Sequence, residues 1–241
     1  MAEEEVVSED SHEGELGPFG QVDVGCYPDL VRQGGLVNAL RAVVDERQMD
    51  IGSVDAPYGG KTEGHVNAKI ETGRGIILAR IHVAERNFSV NIHDADVWIA
   101  GGTTADISQV LDVAAAWREG ISLDSLENRF PFMKVTDLAR VLASPDPVRA
   151  QWDYLRTAPV FHDDRVLVDA AFGNAVLRSF FPDLSHRTLQ LSRSFRDRQG
   201  AVRIAPGEDG YSVSRSGGTE PHGPLESLDR AIAVAAELLG G

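Results

Sequence analysis

Seven side chains between positions 80 and 98 bring together groups that suit ligand binding or acid–base chemistry. They comprise a guanidinium, two imidazoles, a carboxylate, an amide, a hydroxyl and an indole: Arg80, His82, Ser89, Asn91, His93, Asp96 and Trp98. A carboxylate beside an imidazole stabilises its protonated form, so we interpret His93 with Asp96 as a candidate acid or base, and His82 as another. The candidate ligand-binding residues are Arg80, Asn91 and Trp98, which suit a polar or anionic ligand.

Two runs of alternating apolar and polar residues predict the antiparallel strands that hold these side chains on one face. The apolar members are Ile77, Ala79, Ile81 and Val83, then Phe88, Val90 and Ile92. With Ala84 to Asn87 as the connecting loop, the predicted buried pairs are Val83–Phe88, Ile81–Val90 and Ala79–Ile92. After an Asp94–Ala95 turn, a third strand continues through Val97 and Ile99. On the polar face the predicted pairs are Arg80–Asn91, His93–Asp96 and Trp98–Asn91.

The alternative interpretation is that this polar face is only solvated, as one face of an antiparallel sheet often is. An exposed indole at Trp98 favours a binding role instead. A metal site is disfavoured, because the sequence has no helical His-x-x-x-His or Glu-x-x-His spacing. The glycine-rich dinucleotide motif, the phosphate-binding loop and the Gly-x-Ser-x-Gly motif are also missing from the sequence. We therefore predict neither a metal nor a cofactor.

The composition is typical of a globular protein, with 42% hydrophobic residues among 241 and a formal net charge of -14. The first fifteen residues hold seven acidic groups and no basic one, so residues 1–20 are expected to form a disordered acidic leader. A chain of this charge is a poor nucleic-acid binder. Because no apolar run is long enough for a membrane helix and no signal-peptide pattern is present, we expect a cytoplasmic protein without membrane contact. The single cysteine, Cys26, excludes an internal disulfide.

The order of the predicted elements indicates an α+β protein in which helices pack on antiparallel sheets. Residues 26–120 are expected to form a first helix–sheet–helix unit, in which Gly101-Gly102-Thr103 ends a strand and Thr104 caps the closing helix. Residues 121–160 contain prolines between short apolar segments and are expected to form a helical connector. A second unit is expected over residues 161–241, beginning with a helix that Asp164 caps and that runs to Phe180.

Three strands are predicted in the second unit, around Leu189, around Val202 and around Tyr211. His186 is expected to begin the first of them and is a further candidate ligand-binding residue. Gly217-Gly218-Thr219 ends the last strand, and a closing helix follows from Leu225 to Leu239. Both units thus have the order helix, three to five strands, Gly-Gly-Thr, helix, which indicates an internal duplication. The sequence leaves open whether the two halves form one sheet or two.

Several short fragments, taken in order, resemble a known family. They are Tyr27-Pro28-Asp29-Leu30, Gly34-Gly35-Leu36, Gly101-Gly102-Thr103-Thr104, Trp117-Arg118-Glu119-Gly120, Leu177-Arg178-Ser179-Phe180-Phe181-Pro182, Ser185-His186 and Gly210-Tyr211-Ser212-Val213. From about position 27 to the C-terminus the chain resembles actinobacterial proteins of domain-of-unknown-function family 6193, which is labelled "natural product biosynthesis protein". The resemblance implies an association with secondary-metabolite gene clusters, and it supplies no catalytic residues.

Two hypotheses of function follow. In the first, the chain is an accessory or tailoring protein of a natural-product pathway, such as antibiotic biosynthesis, that binds a small-molecule or peptide intermediate on the polar sheet face. In the second, it is a non-catalytic interaction module, chaperone-like or immunity-like, whose acidic surface docks to a basic pathway protein. Whether a reaction takes place, and the oligomeric state, stay open.

Overall fold

The computed structural model describes residues 17–57, 63–218 and 221–240, and it confirms an α+β protein with two antiparallel sheets. The chain divides into two compact units, Met1–Thr136 and Asp137–Gly241. Most of the predicted acidic leader, up to residue 16, lies outside the described residues. At its end Phe19 is buried, with its ring against His65, whereas Gly17, Pro18 and Gly20 are exposed.

The first unit is built around a six-stranded meander in which each strand pairs antiparallel with the next, in the order β1 to β6. The strands are β1 Ser53–Asp55, β2 Asn67–Glu71, β3 Ile76–Ile81, β4 Phe88–Asp94, β5 Val97–Thr104 and β6 Met133–Val135. The described helices of this unit are α1 Pro28–Gln33, α2 Leu36–Arg47, α3 Glu63–Val66, α4 Ile107–Arg118 and α5 Leu123–Arg129.

One face of this sheet is apolar, and α2 and α4 pack against it. Its buried residues in β3 and β4 are Ile77, Ala79, Ile81, Phe88, Val90 and Ile92, which confirms the predicted alternation. The residues that α2 and α4 bury toward the sheet include Leu36, Leu40, Val110, Leu111 and Ala114. Removal of these side chains from water supplies the main force that holds the helices on the sheet.

The register between β3 and β4 differs from the predicted one by two residues. Ile81 faces Phe88, Ala79 faces Val90 and Ile77 faces Ile92. A shift of two residues leaves every side chain on its predicted face, because the side-chain period of a strand is two. Val83, predicted to be buried, is instead 49% exposed in the connecting loop.

The predicted strand end and helix start before α4 were also wrong. Strand β5 continues through Gly101, Gly102 and Thr103 and ends at Thr104. The cap of α4 is Asp106, whose Oδ1 accepts a hydrogen bond from the Ser108 N–H at 2.8 Å. An aspartate in this position satisfies a free amide of the first turn, which a strand residue cannot do.

The second unit contains a five-stranded meander in the order β11-β10-β9-β8-β7. Its strands are β7 Phe181–Ser185, β8 Thr188–Ser192, β9 Val202–Gly207, β10 Gly210–Arg215 and β11 His222–Leu225. Its described helices are α6 Asp137–Leu142, α7 Pro147–Thr157, α8 Arg165–Gly173 and α9 Leu228–Gly240. The helices and the strands of this unit share one hydrophobic core. It includes Trp152, Leu155, Val168, Leu189, Leu191, Val202, Ile204, Val213, Ala231 and Ala235.

The two edge strands of this sheet were not predicted. Each contains a proline, Pro182 in β7 and Pro224 in β11, and proline is tolerated at sheet edges because one side of an edge strand forms no ladder. The closing helix therefore begins at Leu228, and Leu225 belongs to β11. The predicted helix to Phe180 ends at Gly173 and is followed by a 3-10 turn, Leu177–Ser179. Thr219, predicted to follow the last strand, lies outside the described residues.

The predicted connector, residues 121–160, is divided between the units at Thr136 and Asp137. Its first part forms α5 and β6, and β6 pairs with β5 of the first sheet. Its second part forms α6 and α7 of the second unit. In the second unit α8 precedes the meander and α9 follows it, whereas in the first unit α2 precedes the sheet and α4 and α5 lie between β5 and β6. No helix among the described residues is long and apolar enough to cross a lipid bilayer.

Candidate functional site

The open face of the first sheet is formed by the strand residues that point away from α2 and α4. They are Asn67, Lys69, Glu71, Ile76, Leu78, Arg80, Ser89, Asn91, His93, Trp98, Gly101, Thr103 and Lys134, and none of them is fully buried. Directly opposite residues of an antiparallel pair share a face, which places the side chains of five neighbouring strands together. Five of the residues predicted from the sequence to carry the site lie on this face: Arg80, Ser89, Asn91, His93 and Trp98.

Two clefts of the open face adjoin at Arg80, which lines both of them. One cleft, of about 520 Å³, is lined by Arg80 with His82, Glu85 and Ser89. The other, of about 260 Å³, is lined by Arg80 with Asn67, Leu78 and Asn91, beside Pro57. Arg80 lies opposite Ser89, and not opposite Asn91 as predicted, because of the two-residue register shift. Its exposed guanidinium forms no hydrogen bond or ion pair with any residue that the structure describes.

His82 follows the end of β3 and forms a polar cluster with two neighbours. Its Nε2 lies 2.9 Å from Ser89 Oγ, and its Nδ1 lies 3.7 Å from Glu85 Oε1. The order serine, histidine, acid is that of nucleophilic hydrolases, but in those enzymes the acid is buried and hydrogen-bonded to the imidazole. The Glu85 side chain is 71% exposed, and its distance is too long for a hydrogen bond. The cluster therefore offers a hydroxyl and an imidazole as hydrogen-bonding groups beside Arg80.

The predicted pairing of His93 with Asp96 was wrong. His93 lies opposite Trp98, and Asp94 lies opposite Val97, so the turn consists of Ala95 and Asp96. Ala95 has a φ of 52°, which a tight two-residue hairpin requires. Asp96 is exposed at the tip of this turn, beyond the ladder. A carboxylate in that position has no cross-strand partner, so the arrangement that the sequence suggested for acid–base chemistry is not formed.

Trp98 and Asn91 lie together above Gly101. A Cβ on Gly101 would stand 2.7 Å from both Asn91 Oδ1 and Trp98 Cζ2, which shows how closely the two side chains cover this glycine. The indole Nε1 donates a hydrogen bond to the carbonyl oxygen of Ala100 at 3.0 Å. Trp98 is 51% exposed. The ring is thus held in one orientation, with its polar group satisfied and much of its apolar surface open to a ligand.

His186 belongs to the second unit and lies in the turn between β7 and β8, not at the start of a strand. His186 and Arg187 both have positive φ, 49° and 63°, which is the geometry of a tight hairpin turn. The His186 Nδ1 lies 2.9 Å from Ser185 Oγ, and the imidazole is exposed. Nothing in its own unit assigns it a ligand-binding role.

A comparison with protein families matches residues 146–240 to the model of a family of unknown function, DUF6193. Residues 146–240 are thus similar to this family. The matched segment, which we call the family domain, begins at the N-cap of α7, ends at the last residue of α9 and so lies inside the second compact unit. No curated protein and no solved structure matches the chain.

The fragments in the first unit that resemble the family lie outside the matched residues, and they hold the structure together. Tyr27 is fully buried, and its hydroxyl donates a hydrogen bond to the Glu85 carbonyl at 2.6 Å. The same hydroxyl accepts the N–H groups of His82 and Asn87, each at 3.0 Å. The side chain of Tyr27 thereby fixes the β3–β4 loop that forms one wall of the larger cleft. Sequence reasoning missed this role, because the bonds join residues more than fifty positions apart.

An ion pair between Asp29 of α1 and Arg86 of the β3–β4 loop holds the same loop. Hydrogen bonds from Arg86 lower the pKa of the Asp29 carboxyl, and the bond to Asp29 raises the pKa of the Arg86 guanidinium. At the other end of the sheet, Trp117 Nε1 donates to the Arg74 carbonyl at 3.1 Å, and the Arg74 guanidinium lies 3.9 Å from the centre of the Trp117 ring. These contacts fasten α4 to the β2–β3 turn.

Cysteine and metal chemistry find little support in the described part of the chain. Desolvation and the neighbouring carboxylates of Asp23 and Glu85 raise the pKa of the Cys26 thiol, which is opposite to the shift that a nucleophilic thiol needs. Among the residues that the structure describes, no three His, Cys, Asp or Glu side chains are grouped closely enough to hold a metal ion.

Proposed function

We propose that this chain is a cytoplasmic accessory protein of a natural-product pathway that binds an anionic small-molecule or peptide intermediate on the open face of its first sheet. The observation that carries the proposal is Arg80, whose guanidinium is exposed between two adjoining clefts and has no partner among the described residues. A planar guanidinium presents a fork of donors that matches a carboxylate or phosphate group.

The charge around Arg80 supports an anionic ligand. The chain as a whole carries a formal net charge of -14, yet the open face holds Lys69 and Lys134 in addition to Arg80. Lys69 is paired with Glu71 at 2.7 Å, whereas Lys134 is exposed at the other side of the face. Arg80 and Lys134 are thus cations on this face of an acidic protein that no acidic side chain of the described residues neutralises, and they favour the approach of an anion.

The neutral groups beside Arg80 suit recognition of a polar ligand. The smaller cleft adds the amides of Asn67 and Asn91 around the apolar side chain of Leu78, and the larger cleft adds the Ser89 hydroxyl and the His82 imidazole. Amides donate and accept hydrogen bonds, so they fix the orientation of a peptide or an oxygen-rich molecule. Binding fits this set better than catalysis does, because Asp96 and Glu85 are too exposed to activate an imidazole.

The pathway context rests on the resemblance to proteins labelled as natural-product biosynthesis proteins. The family domain itself is of unknown function, so the context supports a role and assigns no reaction.

A second candidate function is a non-catalytic interaction module, and Trp98 favours it. Its ring is 51% exposed and fixed by the bond to the Ala100 carbonyl. Rigid, exposed tryptophans are enriched among the residues that dominate protein–protein binding energy. In this case the open face docks a pathway protein through Trp98, and Arg80 contributes to the rim.

Deletion of the gene, followed by complementation, tests the proposal. The matched control for Arg80 is Arg32, which is exposed on α1 and has no side-chain partner among the described residues. We expect the deletion to change the profile of secreted metabolites, and we expect wild type and Arg32→Gln, but not Arg80→Gln, to restore it. An unchanged profile after deletion overturns the pathway role. Full restoration by Arg80→Gln overturns the site.

A further inference from the structure

The family domain contains a cleft of its own, of about 520 Å³. It lies where the first turns of α7, the end of α8 and the 3-10 turn Leu177–Ser179 come together. The residues that matter for the argument are Asp146, Val148, Arg149, Trp152, Phe172 and Arg178. The cleft is formed within the second unit alone, and Arg178 belongs to one of the fragments that resemble the family.

Two guanidinium groups from different elements line this cleft. Arg178 is exposed and its side chain has no hydrogen bond or ion pair with any described residue. Several other arginines of the unit are paired with aspartates, as Arg156 is with Asp169 at 2.7 Å and Arg187 with Asp164 at 3.3 Å. Arg149 uses only its Nε, which donates to both carboxylate oxygens of Asp153 at 3.1 and 3.0 Å. The remaining donors of Arg149 and all those of Arg178 are available to an anion.

The other side chains that line the cleft are largely apolar and include two aromatic rings. Trp152 and Phe172 pack with ring centroids 5.6 Å apart. The Trp152 indole donates its N–H to the Phe180 carbonyl at 3.1 Å, and the ring is fully buried, so it supports Phe172 and exposes no surface of its own. Phe172 is half-buried: the guanidinium of Arg156 covers its ring at 4.2 Å from the centre, and that of Arg149 lies 5.7 Å from the centre. Val148 adds an aliphatic wall.

The one acidic group on the cleft is already engaged. Asp146 caps α7, and its Oδ1 accepts the Arg149 backbone N–H at 3.0 Å. A cap of this kind keeps the carboxylate turned toward the helix amides. Arg149 is paired with Asp153 beside the cleft, so Arg178 is the guanidinium on the cleft wall that has no acidic partner among the described residues.

We infer that this cleft binds a small molecule that carries an oxyanion, a carboxylate or a phosphate, on a planar apolar body. Arg178 and Arg149 hold the oxyanion, and the surface formed by Val148 and Phe172 receives the apolar body. The inference goes beyond the proposed function, because it concerns a different set of residues and stands whether or not Arg80 binds a ligand.

Ligand-observed saturation-transfer NMR on the full chain tests the inference with four probes: phenylacetate, phenyl phosphate, phenylacetamide and inorganic phosphate. We expect saturable binding of phenylacetate or phenyl phosphate, and the tighter of the two identifies the preferred oxyanion. The neutral phenylacetamide should bind about tenfold more weakly or not at all, because it lacks the charge-assisted hydrogen bonds. Inorganic phosphate should compete poorly, because it has no apolar body.

The variants Arg178→Gln and Arg230→Gln make the test specific. Arg230 is exposed on α9 and its side chain has no partner in the described residues, so it is a matched control. We expect Arg178→Gln to raise the Kd about tenfold with an unchanged Tm, and Arg230→Gln to leave the Kd unchanged. The inference is overturned if neither aromatic anion binds, if Arg178→Gln binds as wild type does, or if phenylacetamide or inorganic phosphate binds equally well.

Discussion

Asp29 and Arg86 form a two-pronged ion pair, in which Arg86 Nη1 lies 2.8 Å from Asp29 Oδ1 and Nη2 lies 2.8 Å from Oδ2. Asp29 stands in the first turn of α1, and Arg86 stands in the β3–β4 loop. The Arg86 guanidinium also lies 5.4 Å from the centre of the Phe88 ring. The pair therefore ties the loop that walls the larger cleft to the helix that precedes the sheet in sequence.

The first prediction concerns the pH dependence of this pair. The folded-state pKa of Asp29 is lowered by its hydrogen bonds to Arg86, so the pair contributes stability above about pH 4 and loses it as pH falls through the folded pKa. The side chains of Arg86 and Asp29 are 35% and 38% exposed. Solvent screening therefore limits the loss in the free energy of unfolding that Asp29→Asn causes at pH 7 to about 1 kcal/mol. Urea unfolding at pH 7 and at about pH 2 measures the free energy of unfolding of variant and wild type. The difference between the two proteins should be smaller at the acidic pH.

The control is Asp209→Asn, since Asp209 is exposed between β9 and β10 and has no described partner. It should change stability little at either pH. A stability difference for Asp29→Asn that grows as the pH falls contradicts the assignment.

The second prediction concerns the hydroxyl of Tyr27. Tyr27→Phe leaves the Glu85 carbonyl and the amides of His82 and Asn87 without this partner, so the free energy of unfolding should fall by about 1 to 3 kcal/mol. Tyr154→Phe is the matched control, because that half-buried hydroxyl has a single bond, to Asp137 at 3.0 Å. Urea denaturation should show the larger loss for Tyr27→Phe, and equal losses would contradict a special role for Tyr27.

The strands around the open face could be predicted from sequence because alternation at Ile77, Ala79 and Ile81 reports burial directly. The register was not predicted, because the β3–β4 loop that accompanies it is held by the hydroxyl of Tyr27, a residue far from β3 in the chain. The alternation of apolar residues favoured a short connecting loop, with Val83 as the last buried residue of the strand. The Trp98–Gly101 contact was likewise hidden, since the pairing shifts by one residue between Ile92 and His93. Such an irregularity leaves no local signature in the sequence.

The edge strands β7 and β11 and the short β6 were missed for a different reason. Pro182 and Pro224 favour a loop or a helix end by local preference, and only the neighbouring strand makes them part of a ladder. The unpaired state of Arg80 and of Arg178 also needs the fold, because an arginine's partners are set by packing. The face on which Arg80, Asn91 and Trp98 lie was predicted correctly, since a two-residue slip preserves the face.

The third prediction tests the register by mutation. Val90 is fully buried opposite Ala79, so Val90→Ala should destabilise the protein by about 1 to 3 kcal/mol through lost burial and a cavity. Val83 is 49% exposed, so Val83→Ala should cost less than about 0.5 kcal/mol. Chemical denaturation measures both. A large loss for Val83→Ala would restore the register in which Val83 faces Phe88.

The fourth prediction compares two adjacent glycines. The atoms nearest to a Cβ on Gly101 belong to the side chains of Asn91 and Trp98, whereas a Cβ on Gly102 meets the backbone carbonyl of Phe132. Gly101→Ala should therefore cost less than about 1 kcal/mol and shift the fluorescence of Trp98, while Gly102→Ala should cost about 1 to 3 kcal/mol. If Gly101→Ala leaves the Trp98 emission unchanged, the ring does not lie over this glycine.

The most direct test of the central claim is the identification of what Arg80 holds. Wild type, Arg80→Gln and Arg32→Gln are purified under the same conditions from the cells that naturally make the protein, and small molecules released on denaturation are identified by mass spectrometry. We predict that wild type and Arg32→Gln release the same anionic compound and that Arg80→Gln releases about tenfold less of it. Equal release from Arg80→Gln, or no released anion from any of the three, would contradict the claim.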